Sequence, residues 1–368
     1  MTNKLNDLVV VHKESMPWLK DSMTFVARSG SHAYGTSLPT SDLDFKGFCV
    51  PPMEYFTGFV KKFEQAQQSA PIDCTIYDIR KFCNLAADCN PSIIETLFVD
   101  DADVIYSSEA GDFLREHASE FLSKKAKYTF TGYAHSQLGR IKRHYAWLTN
   151  PPKREPTRED FKLPERTLIP ADQRAAAQAA IAKRVAEWNI DLEPLDPATR
   201  IEVTRRVVDT LAEIGVTEDN LWKHAARSIG LDENFIHLLD RERTYQNARE
   251  TWRQFLTWQK QRNPARAELE AKYGYDTKHG MHLVRLMRMG KEILTTGKVY
   301  VRRPDAEELL EIRAGAWPYE KMVEYAEAMD KEMDALYDSS PLPRAPDRDK
   351  LDFLCRRTIG FQLDIKDY

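Results

Sequence analysis

The segment GSHAYGTSLPTSDLDF, Gly30 to Phe45, decides how this chain is read. It follows a short apolar run, Thr24 to Arg28, that reads as a strand halted by Gly30. It leads into a second run, Phe45 to Val50, that stops at Pro51-Pro52. Residues two apart in a strand point to the same face, so Asp42 and Asp44 present their carboxylates together. Two anions this close repel unless a cation lies between them. Oxygen-only ligands suit a hard cation such as Mg²⁺, which keeps several waters and takes phosphate as a remaining ligand. The Gly30-Ser31 pair, placed after a strand, offers backbone N–H groups and a hydroxyl to phosphate oxygens. If two metal ions are to clamp an in-line displacement, a third carboxylate is needed. Asp73 is the natural one, at the start of a third strand candidate, Ile72–Asp78, that is rich in β-branched residues and alternates in polarity. A lone Asp-x-Asp is a common solvated turn. The ordered conjunction of strand, Gly-Ser, Asp-Leu-Asp, strand and a further acidic strand is far more specific.

Composition bounds the alternatives. A chain of 368 residues can bury a large core and predicts two or three compact units. Its 42% hydrophobic and 30% charged residues exclude a disordered chain. No run has the apolar length of a membrane span, and the start, MTNKLNDLVVVHKES, lacks the apolar core of a signal peptide. The five cysteines are odd in number and form no CxxC pair, which disfavours a disulfide scaffold or a zinc knuckle. The expectation is a cytoplasmic protein with reduced thiols and no membrane partner. A net charge of -4 argues against a surface that grips nucleic acid all round, yet the charge is uneven. Lys124 to Arg166 holds eleven Lys/Arg against four Asp/Glu, and Lys272 to Arg303 holds eight against two.

Beyond the first strands the pattern turns helical. Helices are expected over Ile79–Asp88, where Asp78 serves as N-cap, and over Ser92–Phe98 behind Asn90-Pro91. Further ones are expected over Asp112–Phe121, Tyr128–Leu148, the alanine-rich 171–188, Lys278–Thr295 and Tyr319–Leu336. Prolines 151, 152, 156 and 164 mark a boundary. Residues from about 198 to 262 read as amphipathic helices with Trp222, Phe235, Trp252, Phe255 and Trp258 as core, and Pro341–Tyr368 as a polar surface tail. No internal repeat is visible.

These residues carry a family resemblance. Gly30-Ser31 followed by Asp42-Leu43-Asp44 resembles the signature of the nucleotidyltransferase fold of the DNA polymerase beta superfamily. The fuller strings, GSHAYGTSLPTSDLDFKG and IDCTIYDIRKFCNLAADCNPSIIETLF, resemble a narrower bacterial and phage group, the predicted nucleotidyltransferase family associated with RNA repair pathways. Gly132–Gln137, Tyr275–His282, Arg303-Pro304-Asp305 and Ile312–Gly315 are similar to it as well, so the resemblance covers about 24–150 and 270–335 and leaves out 155–268. It implies Gly30 and Ser31 at the triphosphate, Asp42 and Asp44 shared between two Mg²⁺ (or Mn²⁺) ions, and Asp73 as third ligand and activator of the attacking hydroxyl. The implied fold is α/β (α+β), a small mixed sheet with a mostly helical C-terminal region. The domains expected are 1–125 as the nucleotidyltransferase domain, 126–170 and 270–368 as helices closing the cleft, and 171–269 as a helical insertion.

Other residues have two readings each. His32 and Tyr34 either touch the nucleotide or pack the turn against the sheet. Lys278, His282 and Arg285 share a helix face that reaches a triphosphate or an RNA backbone, or else is an ordinary solvated basic face. Arg140, Arg143 and Arg288 are candidates for RNA phosphates, while Tyr133, Leu138, Ile141, Tyr145 and Leu148 fall at core spacing. Asn90, Ser92 and Glu95 read as capping and packing. The expected activity is metal-dependent, template-independent transfer of NMP from an NTP, ATP or CTP, to an RNA 3′ end. The alternatives are transfer to a small molecule or protein hydroxyl, or a non-catalytic nucleotide sensor or antitoxin. The oligomeric state is left open.

Overall fold

Three apolar runs become the centre of one five-stranded sheet. β1 (Met23–Ser29), β2 (Asp44–Cys49), β3 (Gln65–Gln68), β4 (Asp73–Asp78) and β5 (Val104–Ser107) lie in the order β3-β4-β2-β1-β5. A computed structural model describes residues 7–188, 203, 206, 207, 211, 216, 217, 220–262 and 264–365. β1 runs antiparallel to β2 and β5, β3 antiparallel to β4, and β2 parallel to β4. A parallel pair needs a long crossover, and residues 50–72 supply it with the helical turn Glu54–Thr57 and the edge strand β3.

Alternation places the core on both faces of the sheet. Phe25, Ala27, Phe48 and Val50 face the helical side, whereas Val26, Phe45, Cys49, Cys74 and Ile76 meet Leu8, Val9 and Leu19 on the other. Met23 joins the second set because the register shifts between Met23 and Phe25. The three expected strands are each within two residues of those observed. β3 and β5 were not anticipated: Gln-Ala-Gln-Gln buries only one apolar side chain, and β5 is four residues long with all four half-buried.

The helices that follow pack on the side of Phe25. After the short α1 (Gly30–Tyr34) come α2 (Ile79–Ala87) and α3 (Pro91–Leu97). Asp78 caps α2 by accepting from the Arg80 N–H; Asn90 caps α3 by accepting from Ser92 N–H, with Pro91 at its first turn. The helix expected over 112–121 is α4 (Glu109–Glu116), started by the Ser108 hydroxyl, followed by a 3-10 turn. α5 (Lys125–Thr149) buries Ala126, Phe130, Ala134, Leu138 and Ile141 on one stripe. Tyr133 departs from the expected core: it is exposed, and Tyr145 and Leu148 are half-buried, Tyr145 stacking on Tyr319 with ring centroids 3.9 Å apart.

The molecule divides into two units, Met1–Leu148 with Pro264–Tyr368, and Thr149–Asn263. Within the second lie α6 (Ala171–Glu187), α7 (Leu221–Ser228) and α8 (Glu233–Gln261), with Ile169, Ile181, Ala225, Ala226, Ile236 and Leu239 as core. Phe255 is buried there, and Trp222, Phe235, Trp252 and Trp258 are half-buried. Much of the helical expectation between 198 and 219 lies outside the described residues.

The C-terminal segment returns to the first unit as α9 (Pro264–Tyr273), α10 (Thr277–Thr296), α11 (Ala306–Arg313), α12 (Tyr319–Ser339) and α13 (Arg348–Leu363). α10 is buried along most of its length, its start capped by the Asp276 carboxylate. The tail corrects the expectation of a polar surface wrap. α13 buries Leu351, Leu354, Cys355 and Ile359 and packs on α2 and α4. All five cysteines are free thiols and buried. Among the described residues no helix is long and apolar enough to cross a membrane.

Candidate active site

Strand register brings two of the three aspartates together at one end of the sheet. Asp44, the first residue of β2, stands opposite Asp73, the first residue of the parallel β4, and opposite Ser29, the last of β1. Asp42 lies in the loop before β2, so its approach comes from the turn rather than from strand periodicity. Asp42 and Asp73 are exposed and Asp44 is half-buried. The Asp44 carboxyl is raised from its ordinary value, chiefly by burial, then by the negative charge of Asp73; Asp42 adds to the shift and Lys46 and Lys278 oppose it.

Gly30 lies against the same carboxylate. Its φ is +67°, and a β-carbon there would stand 2.5 Å from Asp44 Oδ2. The backbone conformation favours glycine, and any β-carbon there would have to displace the Asp44 carboxylate. The expected Gly-Ser turn is thus the first turn of α1, closed by Gly35 at φ +75°. His32 Nε2 lies 3.4 Å from the Ser41 carbonyl oxygen, tying α1 to the loop that carries Asp42.

Whether these residues suit a hard cation can be judged from their partners. Among the described residues, the carboxylates of Asp42, Asp44 and Asp73 take part in no hydrogen bond or salt bridge. The buried Ser29 hydroxyl, in register with Asp44, has no hydrogen-bond partner either. Buried polar groups are normally paired, so this hydroxyl in register with Asp44 is an exception to that rule. Among the described residues no three acidic, His or Cys side chains already converge closely enough to hold an ion. Rotation of the exposed Asp42 and Asp73 about their side-chain bonds is therefore part of any coordination. With that adjustment the donor set, all oxygen and anionic, fits Mg²⁺ or Mn²⁺.

The remaining sequence candidates fall into three groups. Lys278, half-buried at the start of α10, is near enough to lower the Asp44 pKa. Tyr34, His282 and Arg285 line one pocket of about 220 Å³ beside it. The Tyr34 hydroxyl donates to Glu95 Oε2 at 2.5 Å, and the Arg285 guanidinium lies 3.7 Å from the Tyr34 ring centroid while pairing with Glu95 Oε1. Burial pushes the Tyr34 hydroxyl up and the His282 imidazole far down, so at neutral pH His282 carries no charge. Glu95, read from sequence as a packing residue, is the buried hinge of this network.

Arg288 and the flanking Arg303 belong to a second network, away from the exposed basic face expected for Arg288. Arg288 Nη1 donates to Asp305 Oδ2 at 2.6 Å and to Glu308 Oε2 at 2.7 Å. Arg303, only 4% exposed, grips Glu292 with both terminal nitrogens and Asp305 through Nε, while its backbone N–H donates to the Tyr34 carbonyl. Arg140 and Arg143 are exposed on α5. Sequence reasoning missed Ser29 as part of the site. Lys46, which its nearness to Asp44 in sequence already pointed toward the site, is two residues past Asp44 on β2, and its ammonium donates to the Ser92 hydroxyl.

Residues 4–148 match the model of the RNA repair pathway DNA polymerase beta family, which bears out the resemblance read from Gly30–Phe45. The matched segment carries β1 to α5 and all three aspartates. A curated relative, an uncharacterized 38.9 kDa protein in the nrdC-mobD intergenic region of Enterobacteria phage T4, is 31% identical over 122 residues, covering 30% of this chain and 36% of the relative. The chain thus matches about a third of that relative's length. No solved structure matches significantly.

Proposed function

We propose that this chain, whose N-terminal part matches a DNA polymerase beta family of RNA repair, is a metal-dependent nucleotidyltransferase that adds NMP from an NTP to an RNA 3′ hydroxyl. The observation that carries the reading is the register pair Asp44–Asp73, which among the described residues has no cation within salt-bridge distance and is set against Gly30. In the reaction the acceptor oxygen bonds to the α-phosphorus, the bond to the bridging oxygen breaks, and pyrophosphate leaves with its electron pair. Asp73, exposed at the end of β4, takes the hydroxyl proton. The α1 backbone behind Gly30 approaches the triphosphate, and Lys278 offsets its charge. Asp42, Asp44 and Asp73 would hold two Mg²⁺ ions, whose chemistry would be to neutralise charge at the transferring phosphoryl group. Such a site works by positioning and charge stabilisation, with no covalent enzyme intermediate.

The acceptor is favoured as RNA by the exposed Arg140 and Arg143 on α5 and by the family match. A small-molecule or protein hydroxyl is the second reading, favoured by the engagement of Arg288 with Asp305 and Glu308 instead of an open surface. The test is incubation with Mg²⁺, each NTP and bulk RNA while pyrophosphate is measured. Release by the wild type and its loss in the Asp42→Ala, Asp44→Ala double variant are expected. Equal release from both proteins would overturn the assignment.

A further inference from the structure

The pocket of about 220 Å³ beside the aspartates is too small for a whole nucleotide, since sites for drug-sized ligands run from about 300 to 1,000 Å³. It suits one planar ring system. Its walls come from α1, α3, α5 and α10, all in one unit, and include Tyr34, Ser92, Tyr133, Gln137, His282 and Arg285. Several of these groups are unspent. Arg285 is 4% exposed, yet its Nε–H has no hydrogen-bond partner. The Gln137 carboxamide, half-buried, makes no hydrogen bond among the described residues. His282 is held neutral, so it offers one donor and one acceptor without charge. Tyr133 exposes 45% of its surface, and its hydroxyl is held by the Asn90 amide, which fixes the ring at the rim.

The pocket also adjoins the reaction centre. Ser92 accepts the Lys46 ammonium from β2, and Asp44 is near enough to raise the Tyr34 pKa. Lys278, which acts on Asp44, is one helical turn before His282.

We propose that this pocket receives a nucleobase of the substrate, with Gln137 reading its hydrogen-bonding edge and Tyr133 stacking on its face. The proposal rests on the nucleotidyl-transfer reading and assigns the base-selecting residues of that site. A carboxamide presents one acceptor and a two-hydrogen donor, the arrangement that pairs with two adjacent groups on a base edge. A ring fixed at a pocket rim stacks on any base, so stacking adds affinity and the amide adds selectivity. The base comes either from the NTP or from the 3′-terminal residue of the RNA, and binding assays separate the two.

The experiment measures equilibrium binding of the four NTPs, of inorganic tripolyphosphate, and of short RNAs differing only in the 3′ base. The proteins are wild type, Gln137→Ala, Gln137→Glu, Tyr133→Ala and Tyr133→Phe, each checked for an unchanged melting temperature. Gln137→Glu, which swaps the donor for a second acceptor, should change the order of base preference by about tenfold for at least one base, in keeping with the discrimination of a two-bond contact. Tyr133→Ala should weaken all bases alike, and Tyr133→Phe should retain most of the affinity. Tripolyphosphate binding should be the same in all five proteins. A changed order among NTPs assigns the pocket to the donor, and a changed order among RNAs assigns it to the acceptor. An unchanged order in both overturns the proposal. Absence of tripolyphosphate and NTP binding in the wild type would instead fail the transfer reading.

Discussion

Two sets of charged residues lie within one unit and are built in opposite ways. At the sheet end, Asp44 and Asp73 pair in register with Asp42 in the loop before them, among the described residues without a salt bridge, and the Ser29 hydroxyl in register with Asp44 has no hydrogen-bond partner there. Around α1 and α10, Arg285 is paired with Glu95, Arg288 with Asp305 and Glu308, and Arg303 with Glu292 and Asp305. Buried charge is expensive and folded chains normally neutralise it. The arginines follow that rule, while among the described residues the half-buried Asp44 carboxylate has no cationic partner within salt-bridge distance and Asp42 and Asp73 stay in solvent. Arg285 and Arg303 tie the C-terminal segment to Tyr34 of α1, and under the proposed function the acids are the catalytic set.

The largest effect expected is catalytic. Asp44→Asn or Asp73→Asn should lower transfer by orders of magnitude while the fold persists, because charge stabilisation is lost and like-charge repulsion is relieved. Circular dichroism and pyrophosphate release on the same preparation check both halves. The opposite profile is expected for Glu95→Ala. It leaves the Arg285 guanidinium buried without its partner, a change that costs about 3–5 kcal/mol in comparable sites. Chemical denaturation would read it, and a loss under 1 kcal/mol would erase the contrast between the two regions.

Gly30→Val should remove most nucleotide use, and Ser31→Ala far less. The valine meets Asp44 Oδ2 and a backbone φ of +67°, whereas the α1 backbone survives the loss of a hydroxyl. Equal kinetics for the two would dissociate Gly30 from phosphate approach.

The pH dependence is smaller. Asp44 has a raised pKa in the folded state, so between its unfolded and folded values the native form binds the extra proton. Stability therefore falls as pH rises through that window. The stability advantage of Asp44→Asn over wild type should open as pH climbs through the carboxylate range and level off above it. An advantage that does not change with pH would mean that Asp44 is not perturbed. Smallest of all is the RNA contact. Charge reversal at Arg140 should lower the slope of log affinity against log salt by about 0.7, one single-strand phosphate's worth.

How far the sequence announced this arrangement depends on the range of the interaction. Asp78 and Asn90 are legible as caps because a cap acts within its own helix turn. β1, β2 and β4 are legible because their apolar residues are local and dense. The pairing of Asp44 with Asp73 is not written in either strand; it follows from the parallel register of segments nearly thirty residues apart. Tyr133 has core spacing on α5 but faces outward, since the buried stripe there runs through Ala126, Phe130, Ala134, Leu138 and Ile141. Arg288 looked like an RNA contact because a basic residue on a helix face gives no hint that Asp305 and Glu308 will meet it. The tail looked polar because α13 buries only one narrow side.

The most direct test sets one residue from each region side by side. Full-length wild type, Asp44→Asn and Arg288→Ala are incubated with Mg²⁺, α-labelled NTP and RNA carrying a free 3′ hydroxyl, and label in the RNA is followed with time. Labelled RNA extended at its 3′ end is expected from wild type and Arg288→Ala, and none from Asp44→Asn. Undiminished labelling by Asp44→Asn would contradict the account.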